Sequence, residues 1–170
     1  MKTHGTESGQ SETATVEVGI AEYAVTGNGD ELSTFGLGSC VAVAIHDAEA
    51  GVSGLAHVML PSSENAEGES AGKFADTAVG AMVREMEEFG AEPKRMRAKL
   101  VGGSEMFEFT GIAEGVGKRN VEASRRALKA KGIPIEAEDV GGDHGRSVRL
   151  DGSSGVVTLK TADNHRTELE

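Results

Sequence analysis

Two apolar runs joined by a short turn constrain this chain more than anything else in it. Residues 40–46 read CVAVAIH and residues 52–60 read VSGLAHVML, with Asp47 to Gly51 between them. Short, continuous, β-branched apolar runs read as buried strands. The polar turn makes them a hairpin, and Pro61 stops the second strand. Ahead of the hairpin, Thr15 to Ile20 alternates like a strand. Tyr23 to Thr26 reads as another, closed by the turn Gly27-Asn28-Gly29-Asp30. Leu32 to Ser39, with two glycines, reads as a loop.

Beyond the hairpin, Pro61 to Gly72 is polar and acidic and reads as an exposed loop. Phe74 to Phe89 is the clearest helix. Phe74, Ala78, Ala81, Met82 and Phe89 fall near one face, Arg84, Glu85, Glu87 and Glu88 sit off it, and Gly90 is placed to cap it. Met96 to Val101 is a short strand leading to Gly102-Gly103. A second helix runs from Gly117 to Lys131, with Val121, Ala127 and Leu128 inward and Gly132 at its end. Three short strands follow, over Ile133 to Glu138, Ser147 to Leu150 and Gly155 to Lys160. The expected fold class is α+β: mixed, largely antiparallel sheet with two main helices packed on it. The expected organisation is a disordered tail over 1–14, one domain over 15–160 and a polar tail over 161–170.

Composition narrows the function classes. The formal net charge of −11 repels nucleic acid and anionic membranes, so neither is an expected partner. The acids spread along the chain, as in proteins adapted to high salt, and activity toward an acidic partner is expected to rise with salt. No apolar run approaches the ~20 residues that span a bilayer, and the first 14 residues lack an apolar signal core. One cysteine rules out an internal disulfide and a multi-cysteine zinc site, and a lone thiol fits the cytoplasm.

That cysteine has an unusual setting. Gly36-Leu37-Gly38-Ser39-Cys40 puts it at the mouth of a buried strand, behind a glycine-rich turn. Such a turn lets backbone approach a substrate and exposes N–H groups to a developing oxyanion, here at Gly38 and Ser39. A thiol needs a base to ionise near neutral pH. His57, on the returning strand, is the candidate if the register puts both side chains on one face. A third group would orient the imidazole, either the Thr34 hydroxyl or a backbone carbonyl. On residue types alone, Cys40 and His57 fit a packed core as well as a catalytic pair.

Resemblance adds what spacing does not. Leu37-Gly-Ser-Cys40-Val-Ala-Val, Gly54-Leu-Ala-His57-Val-Met-Leu-Pro61, Lys73-Phe-Ala-Asp76, Ala98-Lys-Leu-Val-Gly-Gly103 with Met106-Phe107, Val116-Gly-Lys-Arg-Asn120, and Glu138-Asp-Val-Gly-Gly142 with Gly145-Arg146 stand in one order. This ordered set resembles the CheD family, the chemoreceptor glutamine deamidases of chemotaxis. The resemblance implies catalytic roles for Cys40, His57 and Thr34. It implies hydrolysis of receptor glutamine side chains to glutamate through a thioester, hydrolysis of glutamate methyl esters, and no metal or cofactor. The implied fold is an α/β sandwich shared with toxin deamidases. The implied partners are the chemoreceptor cytoplasmic domain and the phosphatase CheC. A CheC-docking module with marginal catalysis is the alternative function, and a redox-sensing thiol is a third.

Other residues attract structural readings. Asp76 is a buried charge partner or a surface acid. Arg119 and Asn120 fix a loop or helix start, and Gly141, Gly142, Gly145 and Arg146 form a turn. His144 rivals His57 only if that turn folds over Cys40. His46 is expected to face solvent, His4 and His165 lie in tails, and Glu105 departs from the small or amide residue expected there.

Overall fold

The computed structural model describes residues 14–63, 70–105 and 115–170. Most of the N-terminal tail with His4, loop residues 64–69, and Met106 and Phe107 lie outside the described residues. The hairpin forms as expected from strands β4 (Val41–Asp47) and β5 (Val52–Val58), in register from Val41↔Val58 to Asp47↔Val52. Asp47 anchors its turn. The buried carboxylate accepts from the amides of Glu49 and Ala50, from the amide of Glu92 at 2.9 Å, and from Arg95 Nε at 3.1 Å. Burial pulls its pKa upward, and these bonds together outweigh it and hold the carboxylate below its ordinary value.

The first sheet runs β2 (Tyr23–Thr26), β5, β4, β6 (Met96–Gly102), β7 (Ile135–Val140). The second runs β1 (Thr15–Glu17), β3 (Glu31–Leu37), β8 (Arg146–Asp151), β9 (Val157–Thr161), β10 (Arg166–Leu169). Only β1–β3 and β6–β7 pair parallel among the named strands. Helices α1 (Ala75–Glu88) and α2 (Val116–Ala130) match the sequence expectation within a residue at each end.

Two cores explain the apolar hairpin. Val41, Val43 and Ile45 face the helices with Val79, Met82, Met86, Val121 and Leu128. Ala42, Ala44 and Leu55 face the second sheet with Leu32, Leu37, Val148, Leu150 and Leu159. The first sheet is therefore a middle layer, covered on both faces, and its hairpin residues are buried except half-buried His46. The fold is α+β, as expected.

Three expectations need correction. Leu32 to Ser39 is not a loop, because strand β3 runs through Leu37. Gly36, at φ +75°, sits where the β3–β8 register shifts between Thr34 and Leu37. A glycine serving a bulge reads in sequence as a strand breaker. Phe89 does not face inward: it is the α1 C-cap, is 51% exposed, and lays its ring against Gly27. His46 does not face solvent: its ring packs on Gly155 and its Nδ1 lies 2.7 Å from Ser53 Oγ. The polar segment 161–170 contains strand β10, paired antiparallel with β9. Among the described residues no helix is long and apolar enough to cross a membrane.

Candidate active site

The hairpin register decides whether Cys40 and His57 share a face. Ala42 lies directly opposite His57. Cys40 stands two residues before Ala42 and extends the ladder, since Gly103 N–H donates to the Cys40 carbonyl at 2.8 Å, one rung beyond Val41↔Gly102. Residues two apart on a strand share a face, so Cys40 and His57 are diagonal neighbours, with Cβ atoms about 7 Å apart in such a pair. Both project into the layer between the sheets, where Thr34 approaches from β3. Thr34 and His57 are fully buried and Cys40 is half-buried.

Hydrogen bonding selects the imidazole tautomer. Thr34 Oγ1 lies 2.7 Å from the Val18 carbonyl and 2.7 Å from His57 Nδ1. A carbonyl only accepts, so the single hydroxyl proton goes to Val18 and Oγ1 accepts from Nδ1–H. The neutral ring then carries its lone pair on Nε2. That atom is buried and, among the described residues, has no hydrogen-bond partner, the Cys40 thiol included. Burial lowers the His57 pKa from 6.5 to about 4 and raises that of the Cys40 thiol above its ordinary 9.0. At neutral pH the pair is therefore thiol and imidazole, not thiolate and imidazolium.

The turn before Cys40 is held by its carbonyls. Gly38 O accepts from Ser104 N at 2.9 Å, Cys40 O from Gly103 N at 2.8 Å, and Ser39 O from Asn120 Nδ2 at 2.8 Å. Asn120 Nδ2 also donates to Met59 O at 2.9 Å. Glycines make the approach possible. A Cβ on Gly102, at φ +116°, would sit 2.4 Å from the Cys40 carbonyl, and one on Gly117 would sit 2.3 Å from the Ser104 carbonyl. Among the described residues, none accepts a hydrogen bond from the N–H of Gly38, Ser39 or Cys40.

The remaining singled-out residues sort clearly. Asn120 fixes a loop, as expected, and the loop is the one carrying Cys40. Glu105 caps α2, with Oε1 accepting from Gly115 N at 3.0 Å and Oε2 from Lys118 N at 2.8 Å. Asp76 is a surface acid bound to Ser63. Buried Arg146 pairs with Asp139 at 2.9 Å. The turn at Gly141 and Gly142 bonds to Gly102 and Glu105, while half-buried His144 lies 3.9 Å from Asp143. His165 is exposed in the turn before β10. His46 repeats the pairing of His57, because Ser53 Oγ donates to Gly152 O and so accepts from Nδ1–H. It lies at the far end of β4 from Cys40. Among the described residues no cluster of ligating side chains could hold a metal ion.

Residues 59–161 match the sequence model of the family described as CheD chemotactic sensory transduction. The chain belongs to the CheD family. Relatives extend the match across the chain. A protein of Haloarcula marismortui named probable chemoreceptor glutamine deamidase CheD is 44% identical over 94% of this chain and 92% of its own length. The chemoreceptor glutamine deamidase CheD of Thermotoga maritima is 46% identical over 84% of this chain and 89% of its own. A protein of Natronomonas pharaonis, also named probable chemoreceptor glutamine deamidase CheD, is 40% identical over 91% of this chain and 92% of its own. The family match begins two residues after His57 and so does not include Thr34, Cys40 or His57.

Proposed function

We propose that this CheD-family protein is a protein-glutamine glutaminase that converts selected chemoreceptor glutamines to glutamate. Cys40 is the nucleophile, His57 the base, and Thr34 the group that fixes the imidazole. The observation that carries this reading is the Thr34–His57 bond, which leaves the lone pair on Nε2, on the face His57 shares with Cys40. The relatives' name supplies the substrate class.

The neutral resting pair sets the order of events. A Cys40 χ1 rotation closes the thiol onto Nε2, a contact that substrate binding tightens. His57 takes the thiol proton as sulfur attacks the carboxamide carbon, forming the S–C bond and putting the electron pair on oxygen. N–H groups of the turn, at Gly38, Ser39 and Cys40, receive that oxyanion. The oxyanion collapses, the C–N bond breaks, and His57 gives its proton to nitrogen, releasing ammonia and leaving a thioester. Water attacks next; His57 takes its proton and returns it to sulfur, and glutamate leaves. A methyl ester passes the same steps with methanol as leaving group. Docking of CheC is a separate proposal that requires no nucleophile, so Cys40→Ala leaves it intact.

The test is ammonia release from a chemoreceptor cytoplasmic domain, with peptide mapping of glutamine-to-glutamate conversion. Release that matches converted sites supports the proposal. Absence of both, with folded protein, sinks it.

A further inference from the structure

Asn120 does more at this turn than packing requires. It is fully buried on α2, 81 residues from Ser39 in sequence, and its one amide nitrogen bonds two carbonyls. Those carbonyls, Ser39 O and Met59 O, belong to the residue before Cys40 and to the residue just after β5. The amide orientation is forced, since the opposite flip would set Oδ1 against two carbonyl oxygens. Oδ1 itself is buried and, among the described residues, has no partner. An unsatisfied buried acceptor is a standing cost that an apolar residue here would avoid.

The consequence lies in the peptide planes. A trans peptide points its C=O and the following N–H in opposite directions, and no described peptide bond is cis. Holding Ser39 O on Asn120 turns the Cys40 N–H away from α2. Holding Gly38 O on Ser104 N turns the Ser39 N–H away from Ser104 in the same manner. Among the described residues neither of these N–H groups has an acceptor, and free N–H groups in one turn can receive an anion. Gly117 lets this happen, because only a residue without Cβ admits α2 close enough to the Ser104 carbonyl for Asn120 to reach the turn.

We propose that Asn120 is a positioning residue for the oxyanion site: it fixes the Ser39–Cys40 peptide so that the Cys40 N–H meets the oxygen of the tetrahedral intermediate. This rests on Cys40 being the nucleophile. It assigns Asn120 to transition-state stabilisation, not to thiol activation or substrate binding. The two roles separate experimentally, because alkylation of a thiol by iodoacetamide displaces iodide from saturated carbon and builds no oxyanion.

The experiment compares wild type, Asn120→Ala and the isosteric Asn120→Asp on the receptor cytoplasmic domain, and measures Cys40 alkylation rate and melting temperature on the same samples. The expected result is a kcat lower by about tenfold to a hundredfold in both variants. KM and the alkylation rate should stay within about threefold of wild type, as an interaction made only in the transition state requires. Unchanged kcat overturns the proposal, and so does a parallel fall of kcat and alkylation rate. An inactive wild type would instead indict the deamidase reading itself. Should both variants unfold, the wild type answers alone. A receptor peptide carrying an aldehyde in place of the reactive carboxamide adds the Cys40 thiol across its C=O, giving a hemithioacetal. The Cys40 amide proton resonance should move downfield in that adduct; an adduct seen by mass with no such movement contradicts the assignment.

Discussion

Replacing Thr34 by valine keeps the shape of the side chain and removes its hydroxyl. In the native protein that hydroxyl accepts from His57 Nδ1–H and donates to the Val18 carbonyl, both at 2.7 Å and both fully buried. Without it, a buried N–H loses its acceptor, at about 1–3 kcal/mol, and a carbonyl loses one donor, at about 1 kcal/mol. Thr34→Val should therefore lower unfolding free energy by about 2–4 kcal/mol in a denaturant titration. The ring can escape by moving its proton to Nε2, the atom that must stay bare to act as base. If the productive tautomer becomes costlier by that 1–3 kcal/mol, kcat falls by about 5- to 150-fold, at about 1.4 kcal/mol per decade. Thr34→Ser keeps both bonds and loses one methyl, so it should hold kcat within about threefold. The assay is glutamine conversion in the receptor domain, beside urea unfolding of each variant. A valine variant as active as wild type, or a serine variant as impaired as valine, refutes the tautomer argument.

Other expectations follow from the same contacts. The His57 pKa is lowered from 6.5 to about 4, so burial of the neutral ring contributes stability fully only above about pH 6.5 and loses it as pH falls toward 4. That gap is worth about 3 kcal/mol, and His57→Gln should flatten the pH dependence of urea unfolding over that range. The lowered Asp47 pKa acts in a separate window, with stability lost only as pH falls below the ordinary carboxylate range. Asp47→Ala should cost about 3 kcal/mol by denaturant titration, yet leave kcat of the folded fraction unchanged, since Asp47 closes the hairpin at the end away from Cys40. Gly102→Ala sets a methyl against the Cys40 carbonyl at φ +116° and should lower kcat at least tenfold by about the same logic as losing an oxyanion donor. Glu105→Ala removes the acceptor for two amides of the α2 start and should cost about 1 kcal/mol in thermal unfolding.

What the sequence reveals and conceals follows from how local each cause is. The hairpin was legible because both faces of β4 and β5 are covered, which leaves an uninterrupted apolar run. The helices were legible from periodicity and from Gly90 and Gly132, both at positive φ just past their ends. Strand β3 was hidden, because Gly36 at its bulge carries the same signature as a loop glycine. The pairing of Cys40 with His57 was half legible: adjacency follows from the hairpin, but the shared face depends on register. The tautomer could not be read at all, since it depends on the Val18 carbonyl, 16 residues from Thr34. Asn120 reads in sequence as a residue that fixes a loop or helix start, yet which loop it holds is a property of how α2 seats on Gly103 and Ser104. Small residues at Gly102, Gly103 and Gly117 were the available signal that backbones meet there.

The most direct test of the central claim is the mass of a chemoreceptor cytoplasmic domain after incubation with wild type and with Cys40→Ala. Deamidation replaces an amide NH₂ by OH, a gain of about one mass unit per site through the thioester route. The account predicts that gain at specific glutamines with wild type and none with Cys40→Ala. Equal gain with both proteins, or none with either while both are folded, would contradict it.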